Sequence, residues 1–126
     1  MATYAERPWT ARYDAHVPKT LMPYPDMPLH DTLRQSASNA PNNPALVTSA
    51  HLPVLGRVGS AITYGELDAA SDAFAAGLVD MGLKKGDRVV IVMPNCVQFV
   101  VAFYGILKAG GVVAATNPTY PAEKMQ

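Results

Sequence analysis

Few side chains in this sequence stand where they could do chemistry, and each has a plainer role beside the chemical one. Cys96 falls where a helix is expected to begin, and a thiol at a helix N-terminus ionises more easily and becomes a nucleophile. No histidine lies near it in sequence, and a small apolar cysteine packed under a helix is the ordinary case. His16, His30 and His51 are isolated, without the spacing of a metal site. Asp68 and Asp72 share a helix face, as an acid pair or metal ligands would, and equally as the solvated side of an amphipathic helix would. Lys84-Lys85 offers cations to a phosphate, yet a basic turn after a helix C-terminus is already favoured by the dipole. Gly77/Gly82 and Gly105/Gly110 lie at helix ends that repel anions, and no glycine-rich phosphate loop is present. Thr116-Asn117-Pro118-Thr119 follows an expected strand and precedes a helix start, the position where α/β sheets hold ligands. Turn chemistry alone also explains its Asn-Pro pair.

The elements that must position these residues alternate. From Ser60 to Tyr120 the pattern reads strand, helix, strand, helix, strand, which predicts a parallel βαβαβ core. Thr63 and Glu66 form a capping box at the head of the first helix. Leu67, Ala70, Phe74, Leu78 and Met81 make its expected buried stripe, with Asp68, Asp72 and Asp80 facing water. Gly82 stops that helix, Lys84-Lys85-Gly86-Asp87 turns the chain, and 88–93 is apolar on consecutive residues, as a strand covered on both faces would be. Asn95, with Gln98, is the expected cap of a helix over 96–109 that is apolar nearly all round, with Lys108 in its last turn and Gly110 as its stop. Strand 112–115 follows, and Pro121 opens a further helix. Upstream, Leu29, Leu33, Ala37 and Ala40 define a short amphipathic helix. Strands 45–48 and 61–64, joined by a loop containing Pro53, Gly56 and Gly59, form an edge hairpin.

Ten basic residues balance ten acidic ones in 126, so nothing points to nucleic acid or an anionic surface. The single cysteine makes no internal disulfide and favours a reducing compartment. Residues 97–115 approach the length of a bilayer span, but Gln98, Lys108 and Gly110-Gly111 interrupt them, and a buried helix followed by a buried strand accounts for the same letters. Two regions are expected: an extended arm over 1–28 and an α/β subdomain over 29–126. Five of the eleven prolines fall in the arm and exclude a long helix, while Tyr4, Trp9, Tyr13 and Tyr24 are rings unlike those of a solvated tail. Such an arm lies on its own domain, on an absent part of the chain or on a second subunit; Trp9 and Tyr13 are the candidate assembly residues. A frayed, disordered leader is the alternative.

The order of short motifs carries a resemblance. Ile62-Thr63-Tyr64-Gly65-Glu66-Leu67, Gly86-Asp87-Arg88-Val89, Pro94-Asn95, Lys108-Ala109-Gly110-Gly111 and Asn117-Pro118-Thr119-Tyr120-Pro121 together resemble the opening of adenylate-forming acyl-CoA synthetases, the AMP-binding superfamily. The leader Arg7-Pro8-Trp9, with Tyr13, Val17-Pro18 and Pro28-Leu29, is similar to that of long-chain fatty acid–CoA ligases. The resemblance implies a cytoplasmic ligase, with a peripheral place at the membrane as its alternative setting, that uses ATP and Mg2+ to turn a fatty acid into an acyl-adenylate and then passes the acyl group to CoA. It further implies that the lysine-bearing phosphate loop lies after Gln126, so this segment holds no catalytic, cofactor-binding or metal residue and is inactive alone. Its partners would be the remainder of the ligase chain, the fatty acid in the full enzyme, and a second copy through the arm. A stand-alone α/β binding module that docks a partner by its aromatic arm is the alternative.

Overall fold

The computed structural model describes residues 6–54 and 56–119, without the side chains of residues 50–52 and 57. After a short 3-10 helix at Pro8–Arg12, the order is α1 (Leu29–Asn39), β1 (Pro44–Leu52), β2 (Gly56–Thr63), α2 (Tyr64–Asp80), β3 (Arg88–Val92), α3 (Val97–Lys108) and β4 (Val112–Thr116). The Tyr4 ring of the arm, Tyr120 of the last motif and the helix start expected at Pro121 lie outside the described residues.

The fold is mixed α/β, as the alternation requires. β3 and β4 pair in parallel, from Arg88↔Val112 to Val92↔Thr116, with α3 as the crossover between them. Two further bonds extend the pairing: the Val112 amide donates to the Asp87 carbonyl at 2.8 Å and the Gly86 amide to the Gly110 carbonyl at 2.9 Å. β1 and β2 form the expected antiparallel hairpin. One particular of the βαβαβ expectation differs, because β2 pairs with β1 in a sheet of its own and is not bonded to β3–β4. The reason is local. β2 runs into α2 without a loop, Thr63 serving at once as last strand residue and helix cap, and α2 then lies chiefly on α3.

The hairpin is longer than composition indicates, since the glycines read as loop are strand residues. A Cβ on Gly59 would stand 3.0 Å from the Thr48 carbonyl oxygen, so a bare residue lets the strands close. Thr48 and Ser60 then share a hydroxyl contact of 3.0 Å across the pair.

The core gathers Leu78, Ile91, Ala102 and Ile106, with Phe99, Phe103 and Val113 packed against them. In α1, Leu33 and Ala37 are buried as expected, but Leu29 is exposed. In α2 the buried face is Leu67, Ser71, Ala75 and Leu78, turned from the expected stripe; Phe74 is 39% and Met81 78% exposed. Small residues face α3 because the two helices meet at Gly105, where a Cβ would lie 3.0 Å from the Ser71 carbonyl and 2.7 Å from Phe74 Cδ1. Close approach selects for small side chains more strongly than hydrophobicity does. β3 is likewise buried on one face alone. Ile91 is in the core, whereas Val90 and Val92 are open to solvent.

Candidate functional site

The carboxyl ends of β3 and β4 open into a cleft of about 390 Å3 lined by Met93, Asn95, Phe99, Thr116, Asn117 and Pro118. This is the place where a parallel sheet offers a ligand its strand ends. Asn117 is committed to the turn itself: its Oδ1 accepts from the Thr119 amide at 3.0 Å and from the Thr119 hydroxyl at 2.8 Å. The Thr116–Thr119 segment thus has the hydrogen bonding of an Asx turn. Asn95 lines the cleft but does not cap α3; Cys96 is the N-cap residue, with extended backbone and no side-chain bond. With Cys96 in extended backbone, helical geometry begins at Val97, one residue beyond the expected start.

Cys96 is half-buried and lines an apolar cavity of about 320 Å3 with Leu46, Val47, Val97, Phe99 and Val100. The residues that line it with Cys96 include no base to activate the thiol, which matches the packing role. His16 is exposed, and His30 stands 3.8 Å from the Asp31 carboxylate on its own helix. The side chain of His51 lies outside the described residues. Lys84 and Lys85 occupy an exposed turn, where the Lys84 amide donates to the Asp87 carboxylate at 2.8 Å. Among the described residues no three His, Cys, Asp or Glu side chains gather as metal ligands. No helix among them is long and apolar enough to cross a membrane.

What sequence reasoning missed is the junction of Asp68, Asp72 and Lys108. Asp72 is exposed, as expected, and Asp68 partly so, but both also face a buried cation. The Lys108 side chain is 1% exposed, and its Nζ reaches Asp68 Oδ1 at 2.6 Å, Asp72 Oδ1 at 2.8 Å and the Asp68 carbonyl at 2.9 Å. Two of the three ammonium N–H donors are hydrogen-bonded to Asp68, and Asp72 adds an ion pair. Ser71, wholly buried beside it, donates to the same Asp68 carbonyl at 2.9 Å. Arg34 of α1 approaches Asp72 at 3.9 Å and Asp31 at 3.4 Å, so the charges run across three helices. The signal was legible: one cation on a helix otherwise apolar, and two carboxylates four residues apart on its neighbour. The arrangement is a clamp between α2 and α3. Buried and paired with two carboxylates, Lys108 is not available to a phosphate.

The capping box at Thr63 is complete. Its hydroxyl accepts from the Glu66 amide at 3.2 Å, and the Glu66 carboxylate accepts from the Thr63 amide at 2.8 Å. Those hydrogen bonds, first from the Thr63 amide and then from its hydroxyl, hold the Glu66 carboxyl below its ordinary value.

A sequence profile of the AMP-binding enzyme matches residues 33–126. The chain is 39% identical over 119 residues to the long-chain-fatty-acid–CoA ligase of Escherichia coli O6:H1, covering 94% of this chain and 20% of that protein. The ligase of the same name from Bacillus subtilis is 34% identical over 122 residues, covering 97% of this chain and 20% of that one. Among solved structures, a fatty acyl CoA synthetase of Mycobacterium tuberculosis superposes with a TM-score of 0.60 at 32% identity, over 76% of this chain and 18% of that chain. The chain spans about a fifth of the length of the curated relatives it matches.

Proposed function

The chain belongs to the AMP-binding enzyme family, and from that premise we propose that it is the N-terminal part of a fatty acid–CoA ligase. One observation carries the reading: its identity to long-chain-fatty-acid–CoA ligases extends over 94% of its length, arm included. The reaction of the whole enzyme would join a fatty acid to AMP from ATP and then transfer the acyl group to CoA. Adenylation converts a poor leaving group into a good one, and Mg2+ with cationic donors steadies the phosphate charge.

This segment's own residues do not fit ATP, Mg2+ or CoA, and no step of the reaction is assigned to them. It has no lysine-bearing phosphate loop, its buried lysine is held by carboxylates, and among the described residues no three metal-type side chains gather. Its part is to supply the α/β support on which the later chain is built, and alone it is inactive. The division into an arm over 1–28 and a subdomain over 29–126 belongs to the same proposal, as does a cytoplasmic setting at or near the membrane surface.

A second reading rests on the arm. Trp9 and Tyr13 are both exposed, and together with Leu21, Met22 and Tyr24 they give the arm an apolar surface for a second copy. Sizing the chain with and without residues 1–28 tests it: a dimer lost on truncation is expected, and an unchanged monomer would refute it. For the ligase itself, the test is the reading frame after Gln126. A Ser/Thr/Gly-rich, lysine-containing loop is expected there, and an unrelated continuation would contradict the assignment.

A further inference from the structure

β3–β4 has one finished face and one bare face. Register and alternation place Val90, Val92, Val112, Ala114 and Thr116 on the same side. There Val90 is 61%, Val92 50% and Val112 47% exposed, while Ile91 on the opposite side is buried under α3. Parallel sheets are found covered on both faces, because their crossovers lay elements over each, and three valines in water are out of keeping with that rule. Both strands also have an unpaired outer edge among the described residues. The relatives are about five times as long as this chain, so each contains ample further polypeptide to supply a second layer.

Resting on the ligase reading above, we propose that the Val90–Val92–Val112 face is the docking surface for the later part of the same ligase chain, which seats an apolar layer on it. Ala114, paired to Val90, adds a small side chain to the face, and Arg88 at its margin supplies a polar rim. A short apolar patch with a charged margin is the anatomy of an interface core.

The test co-expresses this chain with the Escherichia coli ligase lacking its own matching segment, the 39% identity making that portion a suitable complement. The unaltered chain is expected to co-purify with it. Val90→Lys with Val112→Lys should lower co-purification about tenfold or more, since an ammonium would be buried unpaired. Val90→Thr with Val112→Thr, which keeps strand propensity, should lower it less. Circular dichroism and urea melting of each isolated variant should match the unaltered chain. Failure of the unaltered chain to co-purify, or undiminished co-purification of the lysine variant, would overturn the proposal. So would a homodimer of the isolated chain that the lysine variant dissolves. Fatty-acid-dependent adenylation separates the two readings: activity in a pair indifferent to the valines sinks the docking face alone, whereas a valine-dependent pair without activity sinks the ligase assignment alone.

Discussion

Lys108 decides more than any other side chain here. Removing it strands two carboxylates facing an apolar helix, and the loss exceeds that of a surface pair because the ammonium is out of water. Asp68 and Asp72 retain partial exposure, so relaxation into solvent limits the damage. Lys108→Met is therefore expected to destabilise the chain by about 2 kcal/mol in urea denaturation, between surface-pair and fully buried values. Adding Asp68→Asn and Asp72→Asn to it should recover part of that loss; equal or greater loss in the triple variant would show the clamp to be incidental. Thr63 is a second such position, and Thr63→Ala should cost about 1 kcal/mol through the lost cap. Glu66 adds a pH dependence. Its folded carboxyl is held below the ordinary 4.5, so its stabilisation is present above that value and fades as pH falls through the lowered one. In Glu66→Gln, melting followed from pH 6 down to about 3 should show a shallower decline than in the unaltered chain.

Helix against helix, the deciding feature is the closeness of α2 and α3. Gly105→Ala would gain up to about 1 kcal/mol of helix propensity, against about 1–3 kcal/mol of overpacking. Phe74 is half-exposed and its ring is able to yield, but the Ser71 carbonyl at 3.0 Å is backbone and is not. Net destabilisation is expected, read as a lower urea midpoint; a rise would mean that the helices part freely. The same crossing explains what sequence made legible. Element identity was readable because caps and stops are local: the Thr63–Glu66 box, Gly82 and Gly110 all act where expected. The buried face of α2 was not, because Ser71 and Ala75 are small for the sake of α3, a partner no window along α2 contains. Lys108 was placed at its helix end correctly, yet its partners Asp68 and Asp72 stand forty and thirty-six residues away, and only the fold brings them to it.

Taken whole, the molecule is a half-covered sheet, a hairpin and an arm. The parallel pairing of β3 with β4 was readable from the apolar runs and the helix between them; the separation of β2 into its own sheet was not, since pairing partners are chosen by tertiary contact. The uncovered valines were read as buried on both faces, and that expectation is the one whose failure is most informative, because it marks where further polypeptide belongs. The candidate site was legible chiefly as a turn, with Asn117 bonding to Thr119 as its residue type favours. As proposed, this chain is the supporting front part of a fatty acid–CoA ligase, with the chemistry carried by later residues. The most direct measurement is palmitate-dependent ATP–pyrophosphate exchange, run side by side on the purified chain and on the same chain continued through its reading frame. Exchange by the longer protein and none by the shorter is predicted; exchange by the purified chain alone, or none by either, would contradict it.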